Sequence, residues 1–125
     1  YEYAEKVTEP GLVFMDTPGY DPVAVTGQVA GGANLIAFTT GRGSVSGFKP
    51  APTLKLATNS DMYRHMVEDM DIDCGTVVTG VETIEALGRR IFELMIDTAS
   101  GKETCSEAFG YGDNEFVPWQ VGAVM

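Results

Sequence analysis

The chain has 125 residues and a mass of 13.4 kDa, which is the size of one domain. Eighteen acidic residues against eight basic ones give a net charge of −10, a balance that argues against nucleic acid or an anionic membrane as partner. Hydrophobic residues at 44% exclude a disordered chain, and the apolar runs are too short for a membrane span. In chain order, Leu12-Val13-Phe14-Met15 reads as a short buried strand between Gly11 and Asp16. Asp16-Thr17-Pro18-Gly19 is a turn. Asp21 then serves as N-cap, with Pro22 opening a short helix that stops at Gly31-Gly32. Residues 34–39 form a second strand, followed at once by the glycine loop Gly41-Arg42-Gly43-Ser44, and residues 53–57 form a third. Asn59-Ser60-Asp61 caps a helix expected to run to about Glu68. Val77-Val78 reads as another very short strand. Thr79 and Glu82 fit a capping box ahead of a long amphipathic helix through Ala99, with Val81, Ile84, Leu87, Ile91, Leu94 and Met95 at helical spacing. The last 25 residues are aromatic and irregular, a tail packed over the rest. The chain opens on Tyr1 rather than Met, as a fragment would.

Buried strands alternating with helices predict an α/β fold, a three-layer Rossmann-like domain with a mostly parallel sheet. In such a sheet the ligand sits beyond the carboxyl ends of the strands. Two polar, glycine-containing loops follow expected strands there: Asp16 to Gly19, and Thr39 to Ser44. If their strands are parallel, they meet on one edge.

Charge is unevenly placed. Residues 22–60 contain no Asp or Glu but carry Arg42, Lys49 and Lys55, a local +3 in a chain whose remainder is −13. Such a stretch is either core and loop, where few charges are wanted, or an electropositive pocket for a small anion. In Thr40-Gly41-Arg42-Gly43-Ser44, the glycines free backbone N–H groups to form an anion nest, and Arg42 adds a planar fork for a carboxylate or phosphate. The same pattern is equally a glycine turn with a surface arginine. Its spacing is not that of a dinucleotide loop. Lys55 lies in Leu54-Lys55-Leu56, where it is either an outward edge residue or, turned into a pocket, an anion anchor or base. Asn59 is first of all an N-cap. Asp69-Met70-Asp71-Ile72-Asp73 starts like a calcium loop, but Cys74 stands where glycine is needed, so a solvated acidic turn is expected. His65 has no companion ligand. Cys74 and Cys105 lack zinc spacing, form no disulfide framework and fit a reduced, cytoplasmic setting.

Long blocks of the sequence resemble one family. They are residues 11–19 with Asp21-Pro22, Thr26-Gly27-Gln28-Val29-Ala30-Gly31-Gly32-Ala33-Asn34, Phe38 to Ser44, Lys55-Leu56-Ala57-Thr58-Asn59, Asp69-Met70-Asp71-Ile72, and Glu115 to Gly122. Together they resemble the C-terminal domain of the altronate/galactarate dehydratases, with sulfolactate sulfo-lyases as relatives. The resemblance implies one domain, residues 1–125, of a longer sugar-acid hydro-lyase. It implies removal of the proton α to a carboxylate, loss of the β-hydroxyl, and a 2-keto-3-deoxy product. It also implies a divalent metal, iron(II), whose ligands are not evident in this chain. The carboxylate is then expected on Gly41, Arg42 and Gly43, and sugar hydroxyls on Thr17, Thr40, Ser44 and Asn59. Lys55 is the candidate base or second anchor, with Asp16 and Asp21 as alternatives for metal binding or proton transfer. The remaining enzyme domains, and a homo-oligomeric assembly, are the expected partners. A non-catalytic anion-binding or assembly domain is the alternative.

Overall fold

The computed structural model describes residues 1–120 of the chain. Its elements are α1 (Asp21–Ala30), β1 (Ile36–Thr40), β2 (Thr53–Ala57), α2 (Ser60–His65), β3 (Ile72–Asp73), α3 (Ile84–Ala99) and α4 (Cys105–Ala108). The three strands form one all-parallel sheet in the order β1-β2-β3, with Ile36 opposite Thr53 and Leu56 opposite Ile72. This is the expected Rossmann-like α/β arrangement, with β2 in the centre and all five of its residues buried.

The two faces of the sheet are covered differently. Val25 of α1 packs with Ile36, Phe48 and Ala51, and Val29 and Phe38 join them. Leu87, Ile91, Leu94 and Met95 of α3 pack on Leu54, Leu56 and Ile72 from the other side. The valines and glycine of α1 are poor helix formers, but Val23, Val25 and Gly27 are all buried, so packing rather than propensity holds the helix. The chain's aromatic tail folds back on α1. The Val117 N–H donates to the Thr26 hydroxyl at 2.8 Å, and Trp119 meets the Tyr3 ring edge-on at 5.3 Å. Val121 and Gly122, which close the resembling C-terminal block, lie outside the described residues.

Five expectations are corrected. Residues 12–15 are not in the sheet. They run extended beside Tyr1, whose carbonyl accepts from the Asp16 N–H at 2.9 Å, and Leu12 and Phe14 face solvent. Val77-Val78 is a turn, and the third strand lies instead at Ile72–Asp73, inside the expected acidic turn. α2 ends at His65 rather than Glu68. The long helix is capped by Thr83, because Glu82 is taken by the Thr76 hydroxyl and Arg90. The capping box lies at Thr104 and Glu107, on α4. At α1 the N-cap is Tyr20, and Asp21 and Pro22 both lie in the first turn.

Candidate functional site

A cleft of about 400 Å³ opens beyond the carboxyl ends of β2 and β3, where ligands bind in open parallel sheets. Thr58, Asn59 and Ser60 line it after β2, and Asp73, Gly75 and Thr76 after β3. Asp61 and Arg64 of α2, and Val78, Thr79 and Val81 of the following loop, complete its walls. Gly75 brings the end of β3 against the start of α2, where a β-carbon would strike the Ser60 nitrogen and sit 2.9 Å from the Asn59 carbonyl carbon. Gly75→Ala must push two backbones apart. We expect a loss of about 2–3 kcal/mol in unfolding free energy, read from the urea midpoint. An unchanged midpoint would refute the close approach.

The polar groups of the cleft share one property. The Ser60 hydroxyl donates to Asp73 at 2.9 Å, and the Thr58 hydroxyl to the Thr40 carbonyl at 3.2 Å. The Thr76 hydroxyl donates to Glu82, and that of Thr79 to the Thr76 carbonyl at 3.1 Å. Each of these hydroxyl protons is committed within the protein, which leaves the hydroxyl oxygens as acceptors. Asn59 caps α2, its carbonyl oxygen accepting from the N–H groups of Asp61 and Met62 at 2.9 and 3.1 Å. That leaves its amide nitrogen as a donor. Hydrogen bonds from Thr76 and then Arg90 hold the Glu82 carboxyl below its usual range, which keeps it an acceptor that ties the loop to α3.

The glycine loop adjoins this cleft at β1. The Thr58 N–H donates to the Thr40 carbonyl at 2.9 Å, and the Thr40 hydroxyl accepts from the Gly43 N–H at 3.1 Å. Gly43 has φ +93, which is what calls for glycine here, since the Met66 sulfur that a β-carbon would meet ends a flexible side chain. Ser44 bonds to Ser46 at 2.7 Å rather than turning toward the cleft lining. Arg42 is exposed. Of the three cations in the acid-free stretch, it alone is both exposed and without an acidic partner among the described residues. Lys49 pairs with Asp113 at 2.6 Å, and Lys55 is buried near Asp71 and Asp69. The expected electropositive pocket therefore reduces to Arg42 and its loop. Asp16 and Thr17 do not line the cleft, since the strand that was to bring them there is outside the sheet.

Lys55 is the most unusual residue in the fold. It is fully buried in the central strand, and its Nζ has no hydrogen-bond partner among the described residues. It is not an edge residue. The register with Phe38 turns it to the α1 side of the sheet, away from the cleft lining. Its backbone N–H donates to one oxygen of Asp71 at 2.7 Å, and the Cys105 N–H of α4 donates to the other at 2.8 Å. Burial pushes the Lys55 pKa down, against the charges of Asp71 and Asp69. Burial, with the Asp71 charge next, pushes the Cys105 thiol up to about 11. Lys55 is thus a buried amine whose charge is opposed by desolvation and favoured by Asp71, the residue that also anchors α4.

Among the described residues no group of three His, Cys, Asp or Glu could hold a metal. The cleft carboxylates are already committed, Asp73 to Ser60 and Gly75, and Asp61 to Arg64. These donors do not fit a divalent ion. Nor is any helix of the described residues long and apolar enough to cross a membrane. Sequence reading missed Thr58, Ser60, Arg64, Asp73 and Thr76 as cleft residues. The rule that ligands sit at strand ends would have found most of them had β3 been recognised.

Comparison with known proteins gives a consistent result. The family model described as "D-galactarate/Altronate dehydratase, C-terminal" matches residues 1–124. The chain is 41% identical to galactarate dehydratase (L-threo-forming) of Escherichia coli K12, over 85% of this chain and 20% of that protein. It is 34% identical to altronate dehydratase of the same organism, over 84% of this chain and 21% of that protein. It is 36% identical to the (2R)-sulfolactate sulfo-lyase subunit beta of Chromohalobacter salexigens, over 91% of this chain and 29% of that protein. The chain thus spans about a fifth of the length of the two dehydratases it matches.

Proposed function

This chain belongs to the C-terminal family of the D-galactarate and altronate dehydratases, and from that premise we propose that it supplies a sugar-acid-binding wall to a hydro-lyase. The observation that carries this reading is the cleft whose hydroxyls present only acceptor lone pairs. A polyol chain brings the complementary O–H donors. The reaction takes the proton α to the carboxylate. The released electron pair delocalises onto the carboxylate, then expels the β-hydroxyl, which leaves as water after gaining a proton. The resulting enol tautomerises to a 2-keto-3-deoxy acid.

The dianion at the carboxylate is the costly species, and it calls for cationic and N–H donors aimed at its oxygens. Arg42 takes that task with the backbone N–H groups of Gly41 and Arg42, the Gly43 N–H being held by the Thr40 hydroxyl, beside the Thr40 and Thr58 shoulder of the cleft. Thr58, Ser60, Thr76 and the Asn59 amide nitrogen read the hydroxyls. Lys55 is the candidate proton acceptor in this reading, but it faces the α1 side of the sheet and not the cleft lining, so it acts only if the substrate's α-carbon reaches that face. The iron(II) implied by the resemblance finds no ligand set in residues 1–120, and no step is assigned to it.

The test is Arg42→Lys in the full-length enzyme, assayed with galactarate, altronate and (2R)-sulfolactate. Lysine keeps the charge and loses the fork. We expect kcat/KM to fall about 100-fold on a sugar acid. A fall of less than about threefold would refute the bidentate role. Turnover of sulfolactate alone would replace the hydro-lyase reading with sulfite elimination.

A further inference from the structure

The free edge of the sheet is used by neither the cleft nor the chemistry assigned above. β1 pairs with β2 on one side only. A parallel ladder alternates. The Ile36 N–H reaches the Pro52 carbonyl at 2.9 Å, and the Thr40 carbonyl accepts from Thr58 at 2.9 Å, so residues 36, 38 and 40 face β2. Ala37 and Thr39 therefore turn their backbone N–H and C=O groups outward, and no described strand pairs with them. Beside this edge runs an apolar groove of about 390 Å³, lined by Val13, Met15, Ala33, Leu35 and Ala37 among others. Leu12 and Phe14, next to it in the chain, are 104% and 79% exposed. Folded proteins cover, charge or shorten such an edge. This one is five residues long, and its segment Ile36-Ala37-Phe38-Thr39-Thr40 carries no charge.

We propose that the open edge of β1, with the groove and Leu12 and Phe14 beside it, is the seat of an extended apolar segment from the remainder of the dehydratase chain, which adds a fourth strand to the sheet. This rests on the reading that the chain works as part of a longer enzyme. The matched dehydratases are about five times as long as the aligned region, so the partner strand comes from the same polypeptide at high effective concentration. Main-chain bonds to Ala37 and Thr39 give the affinity, and the groove selects apolar side chains. A second copy is the poorer occupant, because two chains of net charge −10 repel. Residues 12–15 do not fill the edge themselves, for Phe14 and Asp16 bond to Tyr1.

The experiment uses the full-length enzyme with p-benzoylphenylalanine in place of Phe14, irradiated, digested and mapped by mass spectrometry. A parallel sample is followed by amide hydrogen exchange. We expect a cross-link to a peptide of the same chain outside residues 1–125. We also expect exchange at Ala37 and Thr39 at least about 100-fold slower than in an unstructured peptide. Cross-linking within residues 1–125, cross-linking to another copy in an isotope-mixed sample, or no cross-link at all overturns the proposal, as does rapid exchange at both amides. Dehydratase assays on the same preparation test the functional reading separately. An inactive enzyme with the expected cross-link would leave the edge in place and refute the chemistry.

Discussion

Asp71→Asn lowers the unfolding free energy by about 3 kcal/mol, the cost expected when a charged acceptor of two backbone bonds is spoiled. Asp71 is the peg between the sheet and α4. One oxygen takes the Lys55 N–H at 2.7 Å and the other the Cys105 N–H at 2.8 Å, while the Asp71 N–H donates to the Lys55 carbonyl at 3.0 Å. Asparagine has nearly the same shape. However it turns, its NH₂ faces one of those two N–H donors, and a donor is left without an acceptor. The charge opposite Lys55 disappears as well. Chemical denaturation at neutral pH measures the loss. A change below about 0.5 kcal/mol would mean that the carboxylate does not hold α4.

Lys55→Met acts in the opposite direction. An ammonium without a partner in a buried strand opposes folding, and methionine fills the same volume without a charge. Stability should rise by about 2 kcal/mol, while turnover by the full-length enzyme falls at least about 100-fold if Lys55 accepts the substrate proton. A more stable and fully active variant would remove Lys55 from the chemistry. A less stable one would show that the ammonium is held by a partner. The pH dependence gives a further readout. Burial lowers the Lys55 pKa in the folded protein, so below the ordinary value of 10.5 the folded state binds fewer protons than the unfolded one. Stability through this group therefore grows as pH rises toward 10.5 and is lost on the acid side of that window. Lys55→Met should flatten the rise. Cys105 runs the other way, its stabilisation present below pH 9 and lost as pH climbs through about 11.

How far the sequence disclosed this arrangement depends on the range of the interactions involved. β2 was legible because Leu54 and Leu56 alternate with Thr53, Lys55 and Ala57. Whether Lys55 lay at an edge or in the centre was not, since alternation is blind to which strands flank it. β3 was hidden because its place is set by Asp71 bonding to a residue 16 positions away, and the local pattern Asp69-Met70-Asp71-Ile72-Asp73 resembles a solvated turn. Thr79 and Glu82 satisfy the capping-box spacing, yet Glu82 has better partners in Thr76 and Arg90, and the box forms at Thr104. Residues 12–15 carry a strand's pattern without a ladder among the described residues. Of the cleft lining, only Asn59 was foreseen as a site residue, with Thr40 and the glycine loop adjoining it. Arg64, Ser60 and Thr76 required the strand ends to be brought together in space.

The sheet's all-parallel connectivity also bears on how the chain reaches this state. No pair of its strands is joined by a hairpin, and each rung waits for a crossover to close. Val117 meets Thr26 only after almost the whole chain has been laid down. Such topology favours slow folding, with loop-closure entropy spent before the long-range contacts repay it. During that interval Leu12-Val13-Phe14-Met15 and the bare edge of β1 are both open to other chains. The acidic charge arrives late, for residues 1–60 sum to only −1 and residues 61–125 carry −9, so repulsion between copies builds as the second half of the chain is added.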